Sequence, residues 1–167
     1  MQMQMFQPLT LVSRRANQPR PVTAVLVAAS VEQLQTLVGS SRSWALDCET
    51  SGVEAHAADF QVIGIGLANS DICFYIDLPS LPDTSATWLK HWLTTVELTA
   101  FNVLFDGAAL QRWTGKWLNW IGCSYGLFKQ LTNEGHPGQS WSLTSAQSSV
   151  LGWSVSNKDA MLAALKE

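Results

Sequence analysis

Two acidic residues stand two positions apart at the end of a short apolar segment, Ser43-Trp44-Ala45-Leu46-Asp47-Cys48-Glu49. Side chains alternate along a β-strand, so Asp47 and Glu49 would project from one face of a strand that leaves the sheet at Thr50-Ser51-Gly52. Neighbouring carboxylates repel each other unless a cation lies between them, and Mg²⁺ and Mn²⁺ prefer carboxylate oxygens. The pair therefore predicts a divalent-metal site. The alternative is that both acids lie in a solvated turn, because a motif this short also occurs by chance.

A third acid, Asp106, follows Asn102 by four residues in Asn102-Val103-Leu104-Phe105-Asp106. Residues four apart share a helix face, and Asn102 is a good N-cap residue. The helix is otherwise built from apolar residues, namely Leu104, Phe105, Ala108, Ala109 and Trp113. An aspartate in a first helical turn is also favoured by the helix dipole, so Asp106 by itself supports a structural role as well as a functional one.

The elements that must position these acids follow from hydrophobic periodicity. Alternating or short apolar runs predict strands at 23–27, 43–49, 61–67, 72–76, 97–101 and 117–121. Helical spacing and capping residues predict helices after Ser30 and around 88–93, 102–113, 124–131, 143–151 and 157–165. Short links, with Asn69-Ser70-Asp71 as a hairpin turn, favour an antiparallel meander of the second to fourth strands. We expect a mixed α/β sheet with helices packed on it, and a tail or edge segment at residues 1–20.

Composition limits the classes of protein to which the chain can belong. The 167 residues are 47% apolar and 14% charged, as expected for one packed domain rather than a disordered chain. No apolar run is long enough to span a membrane, and the first residues do not form a signal peptide. Cys48, Cys73 and Cys123 are odd in number and far apart, which indicates reduced thiols in the cytoplasm. With a net charge of −3, any contact with nucleic acid should be short or pass through metal ions.

Two segments together resemble a known enzyme family. Ala45-Leu46-Asp47-Cys48-Glu49-Thr50-Ser51-Gly52 resembles the first motif of the DEDD superfamily of 3′–5′ exonucleases, and Ala100-Phe101-Asn102-Val103-Leu104-Phe105-Asp106 resembles the second. The resemblance is closest to the proofreading exonuclease domain of family A DNA polymerases and extends over about 22–153, including Ser140-Trp141-Ser142-Leu143 where that family begins a helix. It implies a ribonuclease-H-like fold, a mixed five-stranded sheet flanked by helices, within a domain that covers residues 21–167.

The resemblance also implies a metal-dependent reaction. Asp47 would bridge two Mg²⁺ or Mn²⁺ ions, with Glu49 and Asp106 as further ligands. Two such ions activate a water and stabilise the leaving 3′ oxygen in an in-line displacement, so the reaction would release nucleoside monophosphates from the 3′ end of single-stranded DNA. A C-terminal polymerase domain would be the natural partner in the full-length protein.

Four further positions match substrate-contacting positions of that family. By resemblance, Thr50 and Val53 would line the 3′-terminal nucleotide. Asn102 and Phe105 would face the substrate strand.

The fourth carboxylate of the family is missing. It belongs to a Y-x-x-x-D or H-x-x-x-x-D motif, but Tyr125 is followed four residues later by Lys129, and His136 is followed five residues later by Trp141. We expect the chain to end before this motif, as part of a longer polymerase of the phage type, since the short tail leaves no room for a 5′ nuclease domain. The alternative is a non-catalytic exonuclease-like module that binds DNA or has a structural role. A ribonuclease of the same superfamily also stays open, because sugar discrimination depends on contacts to the 2′-OH.

Overall fold

The fold is seen in a computed structural model that describes residues 24–26, 28–131 and 141–151. The predicted tail at 1–20 and the predicted helix at 157–165 lie outside these ranges. The elements in chain order are β1 Ala24–Leu26, α1 Val31–Val38, β2 Ser43–Thr50, β3 Val62–Ala68, β4 Cys73–Asp77, α2 Asp83–Leu93, β5 Glu97–Ala100, α3 Val103–Thr114, β6 Trp120–Cys123, α4 Ser124–Leu131 and α5 Leu143–Leu151. None of the described helices is long and apolar enough to cross a membrane.

The strands form one mixed sheet in the order β1-β4-β3-β2-β5-β6. β2, β3 and β4 are the predicted antiparallel meander, and the side chain of Asn69 accepts the N–H groups of Asp71 and Ile72 in its hairpin turn. β5 pairs with β2 in parallel, and β6 pairs with β5 in parallel. β4-β3-β2-β5-β6 is the five-stranded mixed sheet that the family resemblance implies, which confirms the expected α/β, ribonuclease-H-like fold. β1 adds a short strand parallel to β4.

One face of the sheet is the core of the protein. Trp44, Leu46 and Cys48 of β2 point into it and are buried, whereas the residues between them are exposed. The same cluster contains buried side chains from α1, α2 and α3, so these three helices cover this face. Leu89 and Leu93 of α2 are fully buried there. Burial of each such leucine stabilises the fold by about 1.5–3 kcal/mol.

Helix α3 buries an acid and exposes an apolar residue. Leu104 is 80% exposed, whereas Asp106 and Gly107 are buried with Ala109 and Leu110. Gly107 allows a close approach, because a Cβ there would lie 2.6 Å from Cη2 of Trp117. The last strand differs from the predicted 117–121, since β6 begins at Trp120 and ends at Cys123.

Candidate active site

Asp47 and Glu49 lie together on the open face of the central strand. In β2 the exposed and buried residues alternate, and both carboxylates are on the exposed side, opposite the core. This is the arrangement that strand alternation predicts from their i, i+2 spacing. Immediately after Glu49 the pairing of β2 with β3 shifts by one residue, from Glu49–Gly64 to Thr50–Val62. Such a bulge bends the strand and re-aims the side chains beside it.

Asp106 reaches the backbone between these two acids. Its Oδ1 accepts the N–H of Cys48 at 3.2 Å, and its own N–H donates to the carbonyl of Asn102 at 3.0 Å. The bond to Cys48 forms because β5 pairs only with Ser43–Ala45, so the peptide N–H of Cys48 lies past the end of that ladder. The side chain of Asp106 is 3% exposed. Helix α3 thus fixes the third acid at the edge of the strand that carries the other two.

The three carboxyl groups influence one another electrostatically. Burial raises the pKa of Asp47 above its ordinary value. Burial, followed by the negative charge of Asp47, raises the pKa of Glu49 and raises that of Asp106 to about 6. The hydrogen bonds from Cys48 and Asn102 lower the pKa of Asp106 but do not cancel these effects. The raised pKa values indicate that the negative charges of the three carboxylates are poorly compensated by the protein. A bound cation would compensate them.

Thr50 and Val53 begin the loop that follows β2. The Thr50 hydroxyl donates to the carbonyl of Gly52 at 2.7 Å, so it is engaged within the turn, and Val53 is 85% exposed. Arg112 of α3 fastens this loop by donating to the carbonyls of Ala55 at 3.4 Å and Ala58 at 2.9 Å. Sequence reasoning did not single out Arg112, because no local pattern shows which loop a helix-end arginine will contact.

Asn102 and Phe105 lie at the start of α3. Asn102 occupies the predicted N-cap position, but its side chain makes no capping hydrogen bond. Phe105 is half-buried beside the exposed Leu104. The amide of Asn102 is therefore available for a ligand rather than used by the helix.

A cleft of about 370 Å³ opens beside Asp47 on the same face of the sheet. Ala45 and Thr99 form part of its floor, and Ser124 and Leu143, the first residues of α4 and α5, form part of its wall. Small side chains on the strands leave this space open. The cleft leaves the face that carries Asp47 open to solvent.

The donor set fits Mg²⁺ or Mn²⁺ in kind. Asp47, Glu49 and Asp106 supply the carboxylate oxygens that these hard cations prefer, and the charge of Asp47 acts on both of the other groups. Across residues 24–26, 28–131 and 141–151, however, no three acidic, histidine or cysteine side chains converge on a ready-formed metal site. Binding of an ion would therefore require the exposed side chains of Asp47 and Glu49 to turn toward it.

The sheet order, the helix-covered core face and the acids on the opposite face define a ribonuclease-H-like α/β fold. Its solved neighbours include RNase D of Escherichia coli, an exoribonuclease involved in structured RNA processing, with a TM-score of 0.62 and 17% identity over 84% of this chain and 36% of that one. The POL domain of Pol1 from M. smegmatis, in complex with DNA primer-template and dNTP, has a TM-score of 0.62 and 15% identity over 81% of this chain and 23% of that one. NrnC of Brucella melitensis with bound Mg²⁺ has a TM-score of 0.53 and 18% identity over 70% of this chain and 57% of that one.

These likenesses establish the fold. The chain spans less than two thirds of each of the three neighbours. No protein-family model matches the sequence, and no curated protein sequence matches it.

Proposed function

We propose that this chain is a metal-dependent 3′–5′ exonuclease domain that hydrolyses the 3′-terminal phosphodiester of a nucleic acid. The observation that carries the proposal is the placement of three acids: Asp47 and Glu49 share the open face of β2, and Asp106 is bonded to the peptide N–H between them. Burial of an acid at 3% exposure beside two other carboxylates is costly for the fold, and such costs are typical of functional sites.

Asp47, Glu49 and Asp106 are the residues that would hold Mg²⁺ or Mn²⁺. Two such ions, when bound, activate a water and stabilise the leaving 3′ oxygen. The protein's own contribution is to fix the donors: Asp47 and Glu49 by the strand pleat, and Asp106 by its bond to Cys48. The fold neighbour NrnC was solved with bound Mg²⁺, which supports the choice of ion.

Four residues are proposed to contact the terminal nucleotides. Val53 presents an apolar side chain at 85% exposure, as expected for a residue that packs against a base, and the amide of Asn102 makes no capping bond. Phe105 lies three residues beyond Asn102, and Thr50 follows Glu49 directly. A short contact of this kind suits a chain with a net charge of −3, because it does not depend on neutralising many phosphates.

We further propose DNA as the substrate and proofreading for a family A, phage-type DNA polymerase as the role, with residues 21–167 as the exonuclease domain and 1–20 as a tail. The two sequence motifs support this assignment, and so does the fold likeness to Pol1, whose structure holds a DNA primer-template. RNase D has the same TM-score, so RNA is the competing substrate. A polymerase domain would be the C-terminal partner.

A second candidate function is a non-catalytic module that binds nucleic acid or has a structural role. It is favoured by one observation on the sequence: Tyr125 is followed four residues later by Lys129 and His136 five residues later by Trp141, so neither supplies the fourth acid of the family.

The test is digestion of 5′-labelled single-stranded DNA and RNA of the same sequence by the purified chain with Mn²⁺, beside an EDTA control. We expect a ladder that shortens from the 3′ end on DNA, that is weaker on RNA, and that Asp47→Ala abolishes. Asp71→Ala is the matched control, since Asp71 is an exposed acid in the β3–β4 turn. Equal digestion by Asp47→Ala would refute the assignment. No digestion together with retained DNA binding would support the second candidate instead.

A further inference from the structure

A row of three residues crosses the open face beside the acids. Glu49 of β2 is paired with Gly64 of β3, and Gly64 is paired with Asp77 of β4. The Cβ positions of directly opposed residues in antiparallel strands lie about 4.5–5.5 Å apart. Because Gly64 has no side chain, a gap one residue wide separates the two carboxylates.

The ring of Tyr75 fills this gap. Tyr75 is paired with Gly66, so it lies diagonally across from Gly64 on the same face. A Cβ built on Gly64 would overlap the phenol oxygen and Cζ of Tyr75 and would lie 2.6 Å from Cε2. The hydroxyl of Tyr75 therefore occupies the space above Gly64, with Glu49 on one side and Asp77 on the other.

The charges around Tyr75 agree with this position. Burial, then the charge of Asp77 and then the charge of Glu49 raise the pKa of Tyr75, so both carboxylates are close enough to act on the phenol. A phenol hydroxyl can donate one hydrogen bond. Among the hydrogen bonds between described residues none involves the Tyr75 hydroxyl, so in this structure it is not bonded to Glu49.

We propose that Tyr75 is a positioning residue of the candidate active site: when the exposed side chain of Glu49 turns toward Asp47 to hold an ion, the Tyr75 hydroxyl donates a hydrogen bond to its carboxylate. The inference rests on the proposed function. Its basis is the pairing of Glu49 with Gly64, together with the space above this glycine that the phenol oxygen occupies. Outer hydrogen bonds that orient metal ligands change metal affinity or activity by roughly 10–100-fold.

The test measures Mn²⁺ affinity by titration calorimetry without nucleic acid, together with kcat and KM for DNA digestion. Tyr75→Phe keeps the ring above Gly64 and removes only the hydroxyl. We expect it to weaken Mn²⁺ binding roughly tenfold and to lower kcat with little change in KM. Tyr125→Phe is the matched control, because Tyr125 of α4 is the chain's only other tyrosine and packs against Phe101.

Asp77→Asn tests whether the phenol acts through its other neighbour. We expect this variant to bind Mn²⁺ like the wild type, and a loss as large as that of Tyr75→Phe would overturn the assignment to Glu49. Gly64→Ala gives independent support, since its Cβ must displace the phenol. Where thermal unfolding shows that this variant remains folded, we expect it to reproduce the loss of Tyr75→Phe, and wild-type affinity would contradict the proposal.

The two proposals can fail separately. If the wild type binds Mn²⁺ and digests DNA, and Tyr75→Phe does both equally well, the role of Tyr75 is refuted and the exonuclease function stands. If the wild type neither binds Mn²⁺ nor digests DNA, the exonuclease function is refuted, and the role of Tyr75 is refuted with it.

Discussion

Replacement of Asp106 by asparagine is expected to stabilise the metal-free protein and to abolish metal-dependent digestion. Asp106 is 3% exposed, and burial followed by the charge of Asp47 raises its pKa from 3.8 to about 6. A shift of about 2 units corresponds to about 3 kcal/mol against the charged form at neutral pH. Asparagine can accept the Cys48 N–H only through a neutral oxygen, a weaker bond than one to a carboxylate. The net gain is therefore about 1–3 kcal/mol.

The gain in stability expected from Asp106→Asn depends on pH. The folded protein binds the Asp106 proton more tightly than the unfolded chain does, so the stability of the wild type rises as the pH falls from about 6 toward 3.8. Above pH 6 the wild type carries the full cost of the buried charge. Below 3.8 both states are protonated, and the advantage of asparagine at this position disappears.

The assay is urea unfolding in EDTA at pH 7.5 and at pH 4.0, for the wild type, Asp106→Asn and the control Asp71→Asn. We expect Asp106→Asn to exceed the wild type at pH 7.5 and to approach it at pH 4.0, while the control follows the wild type at both. A variant less stable than the wild type at pH 7.5, or a gain independent of pH, would refute the reasoning.

Three further outcomes are expected. At Mn²⁺ concentrations that do not saturate the site, digestion should fall as the pH drops below about 6, because protons compete with the ion for Asp106, and a pH–rate profile flat to pH 5 under these conditions would contradict this. Arg112→Ala should speed proteolytic cleavage within residues 51–61 and lower the rate of nucleic-acid digestion, since it removes both hydrogen bonds to that loop. An unchanged proteolytic pattern would argue against a role of Arg112 in holding the loop. Leu89→Ala should cost about 2–5 kcal/mol in urea unfolding, because the side chain is fully buried, and a loss under 1 kcal/mol would show that the core collapses around the gap.

The features that follow from local rules were predictable from the sequence. Strand alternation placed Asp47 and Glu49 on one face, and Asn69 predicted the hairpin turn through its tendency to accept backbone N–H groups. Ser30 begins α1 with the expected capping interaction, paired with Gln33. Each of these depends on residues within three positions of one another, which is the range over which sequence spacing determines geometry.

The features that depend on distant contacts were not predictable. The face that α3 buries depends on contacts with other elements, namely Asp106 with the N–H of Cys48 and Gly107 with the indole of Trp117. Periodicity does not show that Asp106 is buried, because its hydrogen-bond partner lies 58 residues away in the sequence. The position of the Tyr75 ring over Gly64 likewise depends on the register between β3 and β4, which cannot be read from the sequence of either strand alone.

The separation of the sheet into two faces has a consequence for how this protein can evolve. The large buried side chains of β2 lie on the helix-covered face, whereas Asp47 and Glu49 lie on the other, so substitutions of these two acids leave the packing intact. Selection on folding and selection on chemistry therefore act on different residues of the same strand. Single substitutions of Asp47 or Glu49 can therefore remove or restore the proposed metal ligands, while the buried residues of β2 stay unchanged.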